Sequence, residues 1–396
     1  MGVFMLTNLL SYCYILIAGR QLSPSEFGAF NALLGVITIG AIFATSLQVA
    51  VTRMVSERLN NDSFVYLQRV SLQLAVLGMA TVGVGGLLIG SHVQFGALQI
   101  AMCALTLALM VFGSAATGFL VAAGNIQSQA NLAFWGTLAR IGVGWPLLLL
   151  GFGVSAALAG YATHYALILV LAYVGCRRAL PSDSHTPPGH APLQLDRMSM
   201  AIFILSFAPF TLDQLLVQYL NPAVGGAYAA SATIAKLVFF ASYPITALAY
   251  PGFLLKAPGR DRVRALAVAT AAVFGIAAIL TLLIELFAEP VITLFFGARF
   301  GGIGEQLRLM APAALCFSLT ALGIHAQIAW RPKFGIAAPL AALLVGLLLY
   351  QYNHQSFNAL ASNQLTTLLL QMLLVWTVLL VTILLPLRRN PSVAQP

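Results

Sequence analysis

The chain has 396 residues, 60% of them hydrophobic and only 7% charged. A soluble surface needs roughly 25% charged residues, so this composition excludes a water-soluble domain and points to lipid as the solvent. The net charge of +9 does not argue for nucleic acid, because the basic residues sit between apolar runs, where topology signals sit.

Backbone polar groups in hydrocarbon must be satisfied within helices or a closed barrel. The apolar runs here are continuous and lack the alternation of barrel strands, so the predicted fold class is an all-α polytopic membrane protein. Segments near the ~20 residues that a span requires are predicted at 2–18, 27–51, 70–90, 96–122, 131–152, 154–175, 198–220, 227–253, 264–287, 306–330, 334–351 and 361–387. That makes about twelve transmembrane helices. The first has no basic residue before it and no small-residue cleavage site, so it reads as a membrane helix rather than a secretory signal. No charged residue lies between Arg69 and Arg140, or from Phe334 to Leu387.

With the N-terminus placed in the cytoplasm, fourteen basic residues fall inside and three (Arg20, Arg299 and Arg308) fall outside, with Arg140 and Lys236 within helices. By the positive-inside rule both termini are cytoplasmic. The polar stretch from Cys176 to Arg197 holds Pro181, Pro187, Pro188 and Pro192 and reads as a linker between two halves. The expected domains are therefore an N-terminal six-helix bundle (1–175), a cytoplasmic linker (176–197) and a C-terminal six-helix bundle (198–396). An internal repeat supports the division: Leu22–Ala32 aligns with Leu220–Ala230 at a constant offset of 198, matching Leu, Pro, Gly and two Ala. Both segments join the first helix of a half to its second. Halves with an even number of helices start from the same face, which implies a pseudo-two-fold along the membrane normal.

At these residues the chain resembles the Wzx-type polysaccharide and oligosaccharide flippases, a branch of the MOP superfamily related to MATE exporters and the lipid II flippase. The resemblance is carried by AGRQLSPSEFGAFNALL (18–34), VAVTRMVSERL (49–59), LDQLLVQYLNPAVGGAYAASATIAKL (212–237) and LFFGARF (294–300). It implies two six-helix bundles around a central cavity that opens alternately to each side, with no ATPase of its own. The short chain and short loops argue against the extra helices that the lipid II flippase carries.

Charge inside a membrane costs at least ~2.5–3.5 kcal/mol and persists where it faces a cavity or a partner. At ~1.5 Å per residue, Lys236 lies about 15 Å deep, Asp213 about 10 Å from the outer surface and Arg140 about 12 Å from the inner one. Lys236 and Arg140 are the expected cations for a pyrophosphate and acidic sugars, although Asp213 and Lys236, at similar depth on consecutive helices, could instead neutralise each other. Asp213 is equally a candidate proton-coupling carboxylate. Matching to the family motif implies an inner-gate or headgroup role for Arg53, against a plain topology-setting role. Asn31, Gln214 and Gln218, with Asn8, Ser11, Tyr12 and Gln48, could bond sugar hydroxyls or simply join helices.

Cys13, Cys103, Cys176 and Cys316 read as packing residues, and His164 and His325 as structural. Gly86 and Gly90 form a GxxxG helix contact. Neither a GxGxxG nor a P-loop spacing occurs, and no catalytic residue, metal or cofactor is expected.

The reading is a non-enzymatic transporter of the bacterial inner membrane. It flips an undecaprenyl-pyrophosphate-linked oligosaccharide (O-antigen, capsule or exopolysaccharide unit) by alternating access. The expected partners are that lipid-linked oligosaccharide, membrane lipids, H+ or Na+ as coupling ion, and a polysaccharide polymerase and glycosyltransferases. A MATE-like ion-coupled exporter of drugs or metabolites is the alternative. A membrane-embedded polysaccharide polymerase or ligase is a remote one, because it needs acid, base or nucleophile groups gathered at one site, and Glu26, Glu289 and Glu305 are scattered.

Overall fold

Local sequence sets where the helices begin and bend. A computed structural model describes residues 2–57, 61–93, 95–123, 126–179, 197–255, 260–330 and 335–384. Their regular structure is helical: α1 (Gly2–Gln21), α2 (Pro24–Glu57), α3 (Asn61–Val93), α4 (Ala97–Ala122), α5 (Ile126–Leu149), α6 (Gly153–Ala179), α7 (Arg197–Thr211), α8 (Asp213–Leu220), α9 (Pro222–Leu255), α10 (Arg260–Phe296), α11 (Gly304–Trp330), α12 (Ala337–Tyr352) and α13 (Phe357–Leu384).

A capping box starts α2. The Glu26 carboxylate accepts from the Ser23 amide (2.9 Å), the Ser23 hydroxyl accepts from the Glu26 amide (3.3 Å), and Pro24 takes the first helical position, where no amide is needed. In the repeat, α9 keeps the proline as Pro222 but has Val224 in place of the glutamate. Its leading Asn221 instead donates to the His354 carbonyl, tying this turn to the α12–α13 connection. Between α5 and α6 the backbone turns back through Gly151 at φ 84°, with the Phe152 amide bonded to the Leu147 carbonyl (3.2 Å), a helix end that favours glycine.

Among the described residues nine helices are long and apolar enough to cross a membrane: α2 to α6, α9, α10, α11 and α13. The pair α7 and α8 makes a tenth as one span bent by 47°. This corrects the expectation of a continuous seventh helix over 198–220. Pro209 removes one rung of the hydrogen-bond ladder, and near the bend the carbonyls of Ser206 and Pro209 accept from Gln371 (2.9 Å) and Gln364 (3.0 Å) of α13. The expected count of about twelve is also reduced here, because α12 has 16 residues and α1 is not among the nine. A second bend lies in α10 at Phe287 (φ −122°, ψ 29°), just before Pro290, and Arg308 Nε donates to the nearby Glu285 carbonyl at 3.1 Å.

Helix α4 packs among α2, α3 and α6, and α11 packs among α9, α10 and α13. Gly86 and Gly90 of α3 lie against Ile100 of α4, as the GxxxG spacing predicts. Helix α2 also packs on α7, α8 and α9, and this is the main seam between the helices before residue 180 and those after residue 196. The repeat meets itself there. A Cβ on Gly28 would stand 2.8 Å from the backbone of Gly225 and Gly226, and one on Gly226 would overlap the Pro24 carbonyl. Backbone against backbone cannot yield as a side-chain tip can. Gly226→Ala is therefore expected to destabilise the protein by about 1–3 kcal/mol, read as a lower thermal midpoint in detergent.

Candidate functional site

Two polar centres sit in the helical core. The first is at the α7–α8 bend, where the chain leaves the helix at Leu212 and Asp213 opens α8. Lys236 of α9 donates to Asp213 Oδ1 at 3.0 Å. Asp213 is 1% exposed and the lysine side chain 14%. The second carboxylate oxygen accepts from Tyr228 at 3.2 Å, Tyr228 lies 3.1 Å from the Tyr350 hydroxyl, and Tyr350 donates to Gln364 at 2.9 Å. Gln364 then reaches the Pro209 carbonyl. The ammonium stands 5.1 Å from the centre of the Phe210 ring, which adds a cation–π attraction. The bend is thus braced from α9, α12 and α13, and the pair carries no net charge.

The second centre is Arg140 of α5, only 5% exposed. Its Nη2 donates to the Ser11 hydroxyl of α1 (2.7 Å) and to that of Thr137 (3.2 Å). The guanidinium lies 4.5 Å from the Tyr161 ring centre and 5.6 Å from that of Tyr14. Gly144 and Gly160 leave the space that the Tyr14 hydroxyl fills on its way to the Ala157 carbonyl (2.9 Å). Nε of Arg140 is buried without a hydrogen-bond partner, and no carboxylate pairs with the group among the described residues. A guanidinium keeps its charge in proteins, so this corner of the core is cationic where the Asp213–Lys236 corner is neutral. Of the two readings of Lys236, the structure shows the one in which Asp213 neutralises it.

Asn31 (3% exposed) donates to the Phe27 carbonyl at 2.9 Å and accepts weakly from Thr233 at 3.5 Å across the seam. Tyr12 of α1 also reaches the Thr233 carbonyl, at 2.5 Å. Gln214 and Gln218 are buried, and the Gln218 carbonyl lies against Gly28 and Gly225 at the repeat contact. The side chain of Arg53 lies outside the described residues. His164 packs beside Gly136, and His325 meets the Ala321 carbonyl at 2.7 Å among Phe203, Tyr243 and Tyr250. A cavity of about 160 Å³ opens between α2, α4, α5 and α6, lined by Thr45, Gln48, Ser114, Thr117 and Tyr165 among others, and neither Arg140 nor Lys236 borders it.

No protein-family model and no curated protein matches the chain. Solved structures do. The lipid II flippase MurJ in an inward closed conformation superposes with a TM-score of 0.70 at 11% identity, covering 95% of this chain and 87% of that one. A multidrug resistance MATE transporter in an inward-facing conformation gives 0.62 at 16% identity, covering 94% and 93%. The chain shares its fold with these two transporters. A MOP superfamily transporter from Pyrococcus furiosus, described as having a binding pocket of reverse polarity, gives 0.58 at 16% identity over 96% and 93%. At these identities the likeness concerns the fold, and any cargo must be argued from this chain's own residues.

Sequence reasoning singled out Asp213, Lys236 and Arg140 but missed Tyr228, Tyr350 and Gln364 around the first centre and Tyr14 and Tyr161 around Arg140. A tyrosine in an apolar helix gives no period of its own. The one usable signal was Tyr228 within the repeat.

Proposed function

We propose that the chain is a flippase of the Wzx type, moving an undecaprenyl-pyrophosphate-linked oligosaccharide by alternating access. The observation that carries this reading is the buried Arg140, which pairs with no carboxylate among the described residues. An unpaired cation in a membrane core favours an anionic cargo and repels a cationic one. Arg140 is the proposed contact for the pyrophosphate. Lys236 of α9 and Asp213 of α8, both in the C-terminal half, form a neutral pair that can separate when the α7–α8 bend shifts against α9, and Asp213 is the candidate site for a coupling proton. Asn31, Gln214 and Gln218 line the seam as proposed sugar-bonding groups, and Arg53 serves as the inner headgroup contact.

The architecture in this reading is twelve spans, with α1 and α12 counted and α7–α8 taken as one. They form two six-helix bundles, residues 1–175 and 198–396, about a cytoplasmic linker at 176–197. The placement of fourteen of nineteen basic residues at one set of helix ends supports cytoplasmic termini in a bacterial inner membrane. H+ or Na+ is the proposed coupling ion, with a polymerase and glycosyltransferases as neighbours in the pathway. The alternative, a MATE-like exporter, has the superposition on MATE transporters in its favour.

The experiment is reconstitution in liposomes holding a fluorescent undecaprenyl-pyrophosphate oligosaccharide in the inner leaflet. Protein-dependent exposure of the sugar to an added glycosidase is expected, with no accumulation of a cationic dye. Dye movement without sugar exposure overturns the reading in favour of the exporter.

A further inference from the structure

The C-terminal ends of α1 and α10 meet at the end of the molecule where α1 turns into α2. Each leaves its last carbonyls without intrahelical partners and carries the negative pole of a helix dipole, so the two ends repel unless something positive stands between them. Two arginines do, reciprocally. Arg20, in the last turn of α1, donates through Nε to the Phe295 carbonyl (3.0 Å) and through Nη2 to that of Leu294, both in the last turn of α10. Arg299, just past α10, donates through Nη2 to the carbonyls of Gly19 (2.9 Å) and Arg20. Neither arginine pairs with a carboxylate among the described residues. Beneath them Phe296 lies against Gly19, where there is no room for a Cβ, and Phe27 meets the rings of Phe296 (5.2 Å) and Phe300 (6.0 Å).

We propose that this double arginine cap is a releasable latch that closes one end of the transport route, a conclusion that rests on the alternating-access reading above. Its chemistry suits release. The arginine–carbonyl bonds lie mostly at the exposed surface, so water can take over both donor and acceptor when they part, and the net cost of breaking them is small compared with separating a buried ion pair. The parting line is also fixed. Glu289 of α10 accepts from the amides of Gly302 (2.5 Å) and Gly304 (3.0 Å) and so binds the Arg299 turn to the start of α11. Arg299 therefore stays with α10 and α11, and opening separates α1 from them.

The test is amide hydrogen exchange of the full chain in lipid nanodiscs, with no cargo present. In Arg20→Gln and in Arg299→Gln, amides of residues 17–24 and 294–304 should exchange about tenfold faster than in the unmodified protein, while α4 to α6 keep their protection. Arg299→Lys keeps the charge but loses the guanidinium fork, and an intermediate rate is expected. It also preserves the test should a glutamine variant fail to fold. Cys13, on α1 two turns below Arg20 and partly exposed where the other three cysteines are buried, should react faster with a maleimide in all three variants. Unchanged exchange at both segments, or acceleration extending through α4 to α6, overturns the latch. With no cargo in the experiment, that result leaves the flippase assignment standing, and a failed translocation assay leaves the latch standing.

Discussion

Lys236→Met is expected to destabilise the protein by about 3–5 kcal/mol, because it leaves Asp213 as an unpaired charge in the core. Asp213 has almost no contact with solvent, and the Tyr228 hydroxyl at 3.2 Å supplies a hydrogen bond but no charge. The companion variant Lys236→Met with Asp213→Leu removes both charges and should recover stability to within about 1 kcal/mol. Thermal unfolding in detergent measures both. The double variant then separates structure from function. If the pair parts and re-forms during the cycle, a stable double variant should still move the lipid-linked sugar far more slowly, as should Lys236→Ala, which is expected to insert normally. A stable double variant that translocates at the unmodified rate would make the pair purely structural and remove Lys236 from the site.

Arg140→Gln should behave in the opposite way, with translocation falling about tenfold or more while stability changes little. The loss follows from the weight of a charge-assisted hydrogen bond, ~1.5–3 kcal/mol. Stability is expected to hold because opposing terms nearly cancel. The substitution forfeits two cation–π contacts with Tyr14 and Tyr161, each ~0.5–2 kcal/mol. It also relieves a buried charge that no carboxylate among the described residues offsets, and a glutamine amide can still donate toward Ser11 and Thr137. Initial translocation rates in liposomes, set beside thermal midpoints of the same preparations, give both numbers. Unfolding of Arg140→Gln, or unchanged translocation, would assign Arg140 to packing.

The contrast between these centres separates what could be read in the residues from what could not. Composition alone required helices in lipid, since a chain with so few charges has no other way to satisfy its backbone. The repeat around Pro24 and Pro222 marked the turn that starts α2 and α9, and its glycines, Gly28 and Gly226, prove to be where the two copies touch. The charged residues Asp213, Lys236 and Arg140 stood out because charge in an apolar run is costly enough to need a reason.

Partners were a different matter. That Lys236 meets Asp213 while Arg140 meets hydroxyls and aromatic rings depends on helix rotation and crossing, and apolar spans of similar composition do not encode which face turns to which neighbour. The bend at Leu212 followed the same logic. Pro209 was visible, but Gln364 and Gln371, more than 150 residues away, supply the donors that hold the carbonyls of Pro209 and Ser206 beside the bend. The pairing of Arg20 with the end of α10 joins residues about 275 apart, and read in the sequence these arginines were topology signals. Solvent preference is a property of each residue and survives in the linear order. Which carbonyl an arginine reaches is a property of packed surfaces, and only the tertiary structure decides it.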